Sequence, residues 1–160
     1  MDAPTRLRRS RRFSSASGGD AATISLAIVD TGPLYAAVDA SDANHQRALA
    51  VLQDRSVRLL VPALVVAEAT YLVGTRLGPP AEAGFLRGLR EFDVMSPAGE
   101  DWSRMAELVE RYGDFPLGGT DASIVALAER IGTDVVVSFD RRHLGVVRSR
   151  AGQAFKLIPS

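Results

Sequence analysis

The sequence contains no cysteine in 160 residues. That excludes a disulfide scaffold, a thiolate zinc site, an iron–sulfur cluster and a cysteine nucleophile. Histidine is nearly as scarce, with only His45 and His143, too few for a histidine-rich metal site. Any bound metal must therefore be held mainly by oxygen, which favours a hard cation such as magnesium or manganese. Lysine occurs once, as Lys156, so 18 of the 19 basic residues are arginine. No apolar stretch approaches the ~18 residues of a membrane span. The basic residues at the start lead into a polar, small-residue segment rather than the apolar core of a signal peptide, so a cytoplasmic protein is expected.

What is present suits one soluble domain. Hydrophobic residues make up 46% and charged residues 24% of the chain, ordinary values for a globular protein. A chain of this length buries ~70% of the surface its unfolded form would expose. Net charge is zero, from 19 basic and 19 acidic residues, but it is unevenly placed. Arg6, Arg8, Arg9, Arg11 and Arg12 face only Asp2 and Asp20 within residues 1–24, leaving +3 there and −3 in the remainder. Residues 1–24 are poor in apolar side chains and are expected to be a disordered basic extension, with 25–160 as the folded domain. The acidic body does not fit a stable duplex-DNA binder. It does fit an enzyme that gathers its acids around a cation.

Short apolar runs alternate with helical periods. Strands are predicted over 24–29, 58–61, 92–95 and 135–139, with a fifth edge strand at 154–158. Helices are predicted over 32–38, 43–55, 63–76, 81–90, 100–112 and 120–131, the last closed by Gly132. Strands alternating with helices imply an α/β fold whose central sheet is mainly parallel. Continuous Val/Ile/Leu runs, rather than alternating ones, imply that both faces of that sheet are covered.

The informative feature is the position of four carboxylates. Asp30 ends the first strand and Asp140 the fourth, and open parallel sheets place their sites beyond such strand ends. Asp121 opens the last helix. That helix descends ~16 Å, at ~1.5 Å per residue. The fourth strand then climbs ~17 Å, at ~3.3 Å per residue, so Asp121 and Asp140 return to one level. Glu68 lies in the otherwise apolar run Leu64-Val65-Val66-Ala67-Glu68-Ala69, where an unpaired buried carboxylate would be costly. Each acid also has a structural reading, as a cap or as a favourable charge at a helix start. Four acids at one edge, with no lysine beside them, would repel one another unless a divalent cation joined them.

At these residues the chain resembles the PIN-domain ribonucleases, and within them the VapC-type toxins of toxin–antitoxin pairs. The matching segments are Ile28-Val29-Asp30-Thr31-Gly32-Pro33-Leu34, Val66-Ala67-Glu68, Thr120-Asp121-Ala122-Ser123-Ile124-Val125-Ala126 and Ser138-Phe139-Asp140-Arg141-Arg142-His143-Leu144. The likeness covers roughly residues 26–158 and leaves the extension outside. It implies a three-layer α/β/α sandwich with a four- to five-stranded sheet. It implies endoribonuclease activity with Asp30, Glu68, Asp121 and Asp140 as the acidic site for Mg2+ or Mn2+. It implies Asp30 and Asp121 as the principal metal ligands, with Glu68 and Asp140 bound directly or through water. Thr31 and Ser138 match supporting hydroxyls, Ser138 standing where threonine is commoner. The resemblance also implies an RNA substrate, a homodimer, and an antitoxin that wraps the toxin and blocks its site.

Further candidates are weaker. Asp114 could support the site or cap its own loop. Arg141 and Arg142 could hold RNA phosphates or lie in a solvated turn. His143 reads as a surface or packing residue, and His45 has no assigned role. Tyr35, Leu49, Leu52, Leu72 and Leu77 could line an antitoxin groove or be core. A haloacid-dehalogenase-like phosphatase needs a second Asp where Gly32 stands. A response-regulator receiver needs an acidic pair, a phosphoacceptor Asp and a late lysine that are not in place. A dinucleotide fold needs a Gly-x-Gly-x-x-Gly turn after the first strand. The remaining alternative is a PIN-like module that binds RNA or protein without catalysis.

Overall fold

The computed structural model describes residues 25–115 and 117–159. The predicted extension at 1–24 lies outside the described residues. Five strands form one sheet: β1 (Ser25–Val29), β2 (Val57–Pro62), β3 (Asp93–Met95), β4 (Val135–Val137) and β5 (Lys156–Ile158). Six helices connect them: α1 (Thr31–Val38), α2 (His45–Gln53), α3 (Ala63–Leu77), α4 (Pro79–Gly88), α5 (Gly99–Arg111) and α6 (Gly119–Ile131). The fold is the expected α/β/α sandwich.

The strand order is β3-β2-β1-β4-β5, and every neighbouring pair is parallel. From β1 the chain adds β2 and β3 on one side, then crosses over to place β4 and β5 on the other. The order therefore reverses between β1 and β4. In open α/β sheets ligands bind in the crevice outside the strand ends at such a reversal. The core explains why the order is stable: Ala27, Ile28, Val29, Leu59, Val61, Val136 and Val137 are fully buried on both sides of the sheet. Helix α6 packs across β1, β2 and β4 and buries every residue from Ala122 to Ala128.

Differences from the predicted boundaries have local causes. Helix α4 starts at Pro79 rather than 81, because two prolines suit a first turn whose N–H groups lack helical partners. It ends at Gly88 and tightens into a 3-10 turn over Leu89–Glu91. Strand β4 stops at Val137; Ser138 N still donates to Ile158 O at 3.0 Å, and the chain then turns at Asp140. Strand β5 starts at Lys156, since Ala154 forms an antiparallel bridge to Arg148. Helix α6 ends as predicted: Gly132 takes the left-handed conformation at φ 76°, and the N–H groups of Gly132 and Thr133 both donate to Ala128 O. His45 joins two helices, its Nδ1 lying 2.7 Å from Ala36 O of α1. Leu52 is fully buried in the core, which removes it from the proposed groove. No helix among the described residues is long and apolar enough to cross a membrane.

Candidate functional site

The site is built from the two strand ends at the reversal. Asp30 follows β1 directly and is buried. One carboxylate oxygen caps α1 by accepting from Thr31 N at 2.6 Å. The other accepts from the Ser138 hydroxyl at 2.6 Å. Ser138, just past β4, is also buried, and its Oγ accepts from Asp140 N at 2.9 Å. One hydroxyl thus ties the acid after β1 to the backbone of the acid after β4. Burial pushes the Asp30 carboxyl up to about 6 from its ordinary 3.8; the bonds from Ser138 and Thr31 oppose the rise, and the charges of Asp121 and Glu68 add to it.

Glu68 is positioned across a helix boundary. The Thr31 hydroxyl, in the first turn of α1, donates to Glu68 Oε2 at 2.5 Å. That bond brings the carboxylate to the α1 N-terminus, although Glu68 starts more than one turn into α3. The cost argued from its apolar run does not apply: Glu68 is exposed, while Val65 and Ala69 on either side of it are buried.

Asp121 sits in the first turn of α6 and accepts from Gly118 N at 3.3 Å. Burial raises its carboxyl above the ordinary value; the Gly118 N–H and His143 oppose the rise, while Glu68 and Asp140 add to it. Asp140 opens the turn after β4. Its Oδ1 accepts from the N–H groups of Arg142 and His143, and its Oδ2 lies 2.7 Å from His143 Nδ1. Burial raises its carboxyl, but the bonds from His143 and from these two N–H groups outweigh that, and the net shift is downward. The structural reading of Asp30, Asp121 and Asp140 as local caps is therefore correct, and the same residues still face one another electrostatically.

His143 is the site residue that sequence reasoning passed over as a surface or packing group. It touches Asp140, influences Asp121, and rests its ring 5.4 Å from the Phe115 ring. The signal was its place three residues after Asp140 in a turn. Asp114 is exposed, and no hydrogen bond or ion pair joins it to the four acids among the described residues. Arg141 and Arg142 are both exposed; the Arg141 side chain reaches the Pro159 carbonyl at 3.3 Å.

Among the described residues no three histidine, cysteine, aspartate or glutamate side chains stand grouped as a closed metal site. Each carboxylate is instead turned onto a local donor. The donor chemistry still fits a hard divalent cation: all four groups are oxygen ligands, and none is ion-paired to an arginine among the described residues. A cavity of about 690 Å3 lies elsewhere, against α5, the second half of α6 and residues 149–155. None of the four acids lines it, and its walls carry the ion pairs Arg104–Glu129 and Arg130–Asp101.

The fold is a five-stranded parallel sheet, with Asp30 and Asp140 following the strands on either side of its reversal. The PIN domain family matches residues 27–148, and the chain belongs to that family. It is 34% identical over 134 residues to Ribonuclease VapC26 of Mycobacterium tuberculosis, covering 82% of this chain and 99% of that one. The crystal structure of Mycobacterium tuberculosis VapC20, a sarcin–ricin loop cleaving toxin, superposes with a TM-score of 0.66 at 22% identity, covering 72% of this chain and 90% of that one. VapBC2 from Rickettsia felis, bound to a DNA fragment from its promoter, superposes with a TM-score of 0.63 at 12% identity, covering 84% of this chain and 99% of that one.

Proposed function

We propose that this chain is an Mg2+-dependent endoribonuclease, the toxin of a toxin–antitoxin pair. The observation that supports the reading is that Asp30 and Asp140 follow the two strands on either side of the reversal, with Asp121 and Glu68 close enough for their charges to act on Asp30. The relative named a ribonuclease, similar over 82% of this chain, supports RNA as the substrate. Asp30 and Asp121 would be the principal ligands, with Glu68 and Asp140 directly or through water. Bound there, the cation supplies an activated water and offsets the charge that builds on the phosphodiester.

The chain's own side chains keep this centre in place. Ser138 fixes the Asp30 carboxylate, and Thr31 fixes Glu68. The His143 ring, backed by Phe115, fixes Asp140. Such supporting bonds decide which lone pairs face a cation, and their loss lowers metal affinity or activity by ~10–100-fold. Mn2+ offers the same hard-cation chemistry as Mg2+. The resemblance to VapC-type toxins supports a homodimer and an antitoxin that covers the site until it is released.

The test is cleavage of end-labelled bacterial RNA by the purified, antitoxin-free protein, with Mg2+, with a chelator, and with Asp121→Asn. Discrete fragments that need the metal and vanish in the variant are expected. Folded protein that cuts no RNA pool with the metal present would refute the enzyme. RNA binding that persists equally in both proteins would then favour a binding module.

A further inference from the structure

A site made of carboxylates must still hold a polyanionic strand, and that takes cations outside the acid cluster. The two arginines next to Asp140 are exposed and remain candidates for that task. Arg141 reaches Pro159 O, and Arg142 meets the acids only through its backbone N–H. A third arginine, distant in sequence, is built into the edge. Arg47 lies on the exposed side of α2, with its guanidinium carbon 5.3 Å from the centroid of the Phe139 ring. Its Nη1 donates to Asn44 Oδ1 at 3.1 Å, so the head is held from two directions.

Phe139 makes this placement meaningful. It stands between Ser138, whose hydroxyl binds Asp30, and Asp140 itself. Its ring borders Gly32, where an added Cβ would lie 3.9 Å from Cδ2, so the ring sits over the start of α1 beside Asp30 and Thr31. A guanidinium stacked on a ring loses rotamer freedom, and its N–H groups lie in the plane of the fork. That geometry suits bidentate bonding to the two non-bridging oxygens of a phosphate.

We propose that Arg47, lying over the Phe139 ring, is a substrate-positioning residue that binds an RNA phosphate flanking the scissile bond. This inference rests on the endoribonuclease reading. The competing role is a purely structural latch between α2 and the 138–140 segment. The two differ in salt dependence, because a phosphate contact releases counterions and a latch does not.

The experiment measures binding of a fluorescein-labelled single-stranded RNA by anisotropy, with the full chain carrying Asp121→Asn so that the probe stays intact. Arg47→Ala and Arg47→Lys are each added to that background, and salt is varied. Arg47→Ala should weaken binding ~5–10-fold and reduce the slope of log Kd against log salt by ~0.7, the single-strand value for one phosphate. Arg47→Lys should restore the slope and only part of the affinity. In the cleaving protein, Arg47→Ala should raise KM by a similar factor with kcat within about twofold. An unchanged Kd and slope would overturn the proposal. So would a lowered melting temperature with no change in slope, or no RNA binding by the Asp121→Asn protein. An Arg47-dependent slope in a protein that never cuts RNA would refute the nuclease and leave the phosphate contact standing.

Discussion

Replacing Asp30 by asparagine should destroy cleavage and stabilise the metal-free protein. The buried carboxyl is pushed from its ordinary 3.8 up to about 6. A carboxyl raised on folding binds its proton more tightly in the native state, so stability falls as pH rises between those values. The penalty is absent below about pH 4 and complete above about pH 6. A shift of about two pH units, at ~1.4 kcal/mol each, amounts to about 3 kcal/mol at pH 7. Asp30→Asn removes the charge and keeps the acceptor for Thr31 N. The Ser138 hydroxyl must then turn to accept from the new amide, at a cost of about 1 kcal/mol. The net gain is about 2 kcal/mol, or roughly 5 °C in Tm for a domain of this size. The assay is thermal unfolding in chelator from pH 5 to 7.5. The wild type should lose stability from pH 5 to just above 6 and then level off, the variant should change much less, and Mg2+ should raise the Tm of the wild type alone. The reasoning fails if the variant melts below the wild type at pH 7 in chelator, or if both show the same pH slope.

Other perturbations separate support from chemistry. Ser138→Ala strips a bond from Asp30 and one from the Asp140 backbone, so kcat/KM should fall ~10–100-fold, whereas Ser138→Thr should stay within a few-fold. Thr31→Val frees Glu68 from its only side-chain partner among the described residues and should raise the Mg2+ concentration needed for half-maximal cleavage, read from a metal titration. Gly145→Ala would drive a Cβ into the Arg141 carbonyl, and should cost about 2 kcal/mol in denaturant unfolding while speeding amide exchange in the turn that holds Asp140. Arg104→Ala leaves half-buried Glu129 without the two 2.9 Å bonds it accepts, and should cost about 3 kcal/mol with cleavage per folded molecule unchanged.

The fold could be read from the chain because its strands are unusually plain. Ile28-Val29, Leu59-Leu60-Val61 and Val135-Val136-Val137 carry no polar residue, so only a strand covered on both faces accommodates them. Strand boundaries were harder to place for the opposite reason. Ser138 and Phe139 have strand-like neighbours, but the chain turns at Asp140, and Ser138 meets its partner Asp30 only after β1 and β4 pair. The order β3-β2-β1-β4-β5 is not written in any single segment either. It follows from how α6, buried from Ala122 to Ala128, crosses the sheet before β4 returns.

The acids and their expected shared edge were readable in the chain, but the bonds that hold each of them were not. Asp30, Asp121 and Asp140 each occupy a position where a carboxylate already has a local purpose: a helix cap, a helix first turn and a turn of tandem N–H groups. A strand end at a sheet reversal supplies several such donors within a few ångströms. Capping alone would leave the carboxylates independent; what links them is the charge that each exerts on the next. Burial is the main reason that the Asp30 carboxyl is pushed up to about 6, and the charges of Asp121 and Glu68 add to the rise. His143 and Arg47 escaped notice because their partners, Phe115 and Phe139, are defined only by tertiary contact. Acids that share a strand edge can be found by counting along the chain; the groups that orient them and grip the substrate are found only once the chain has closed.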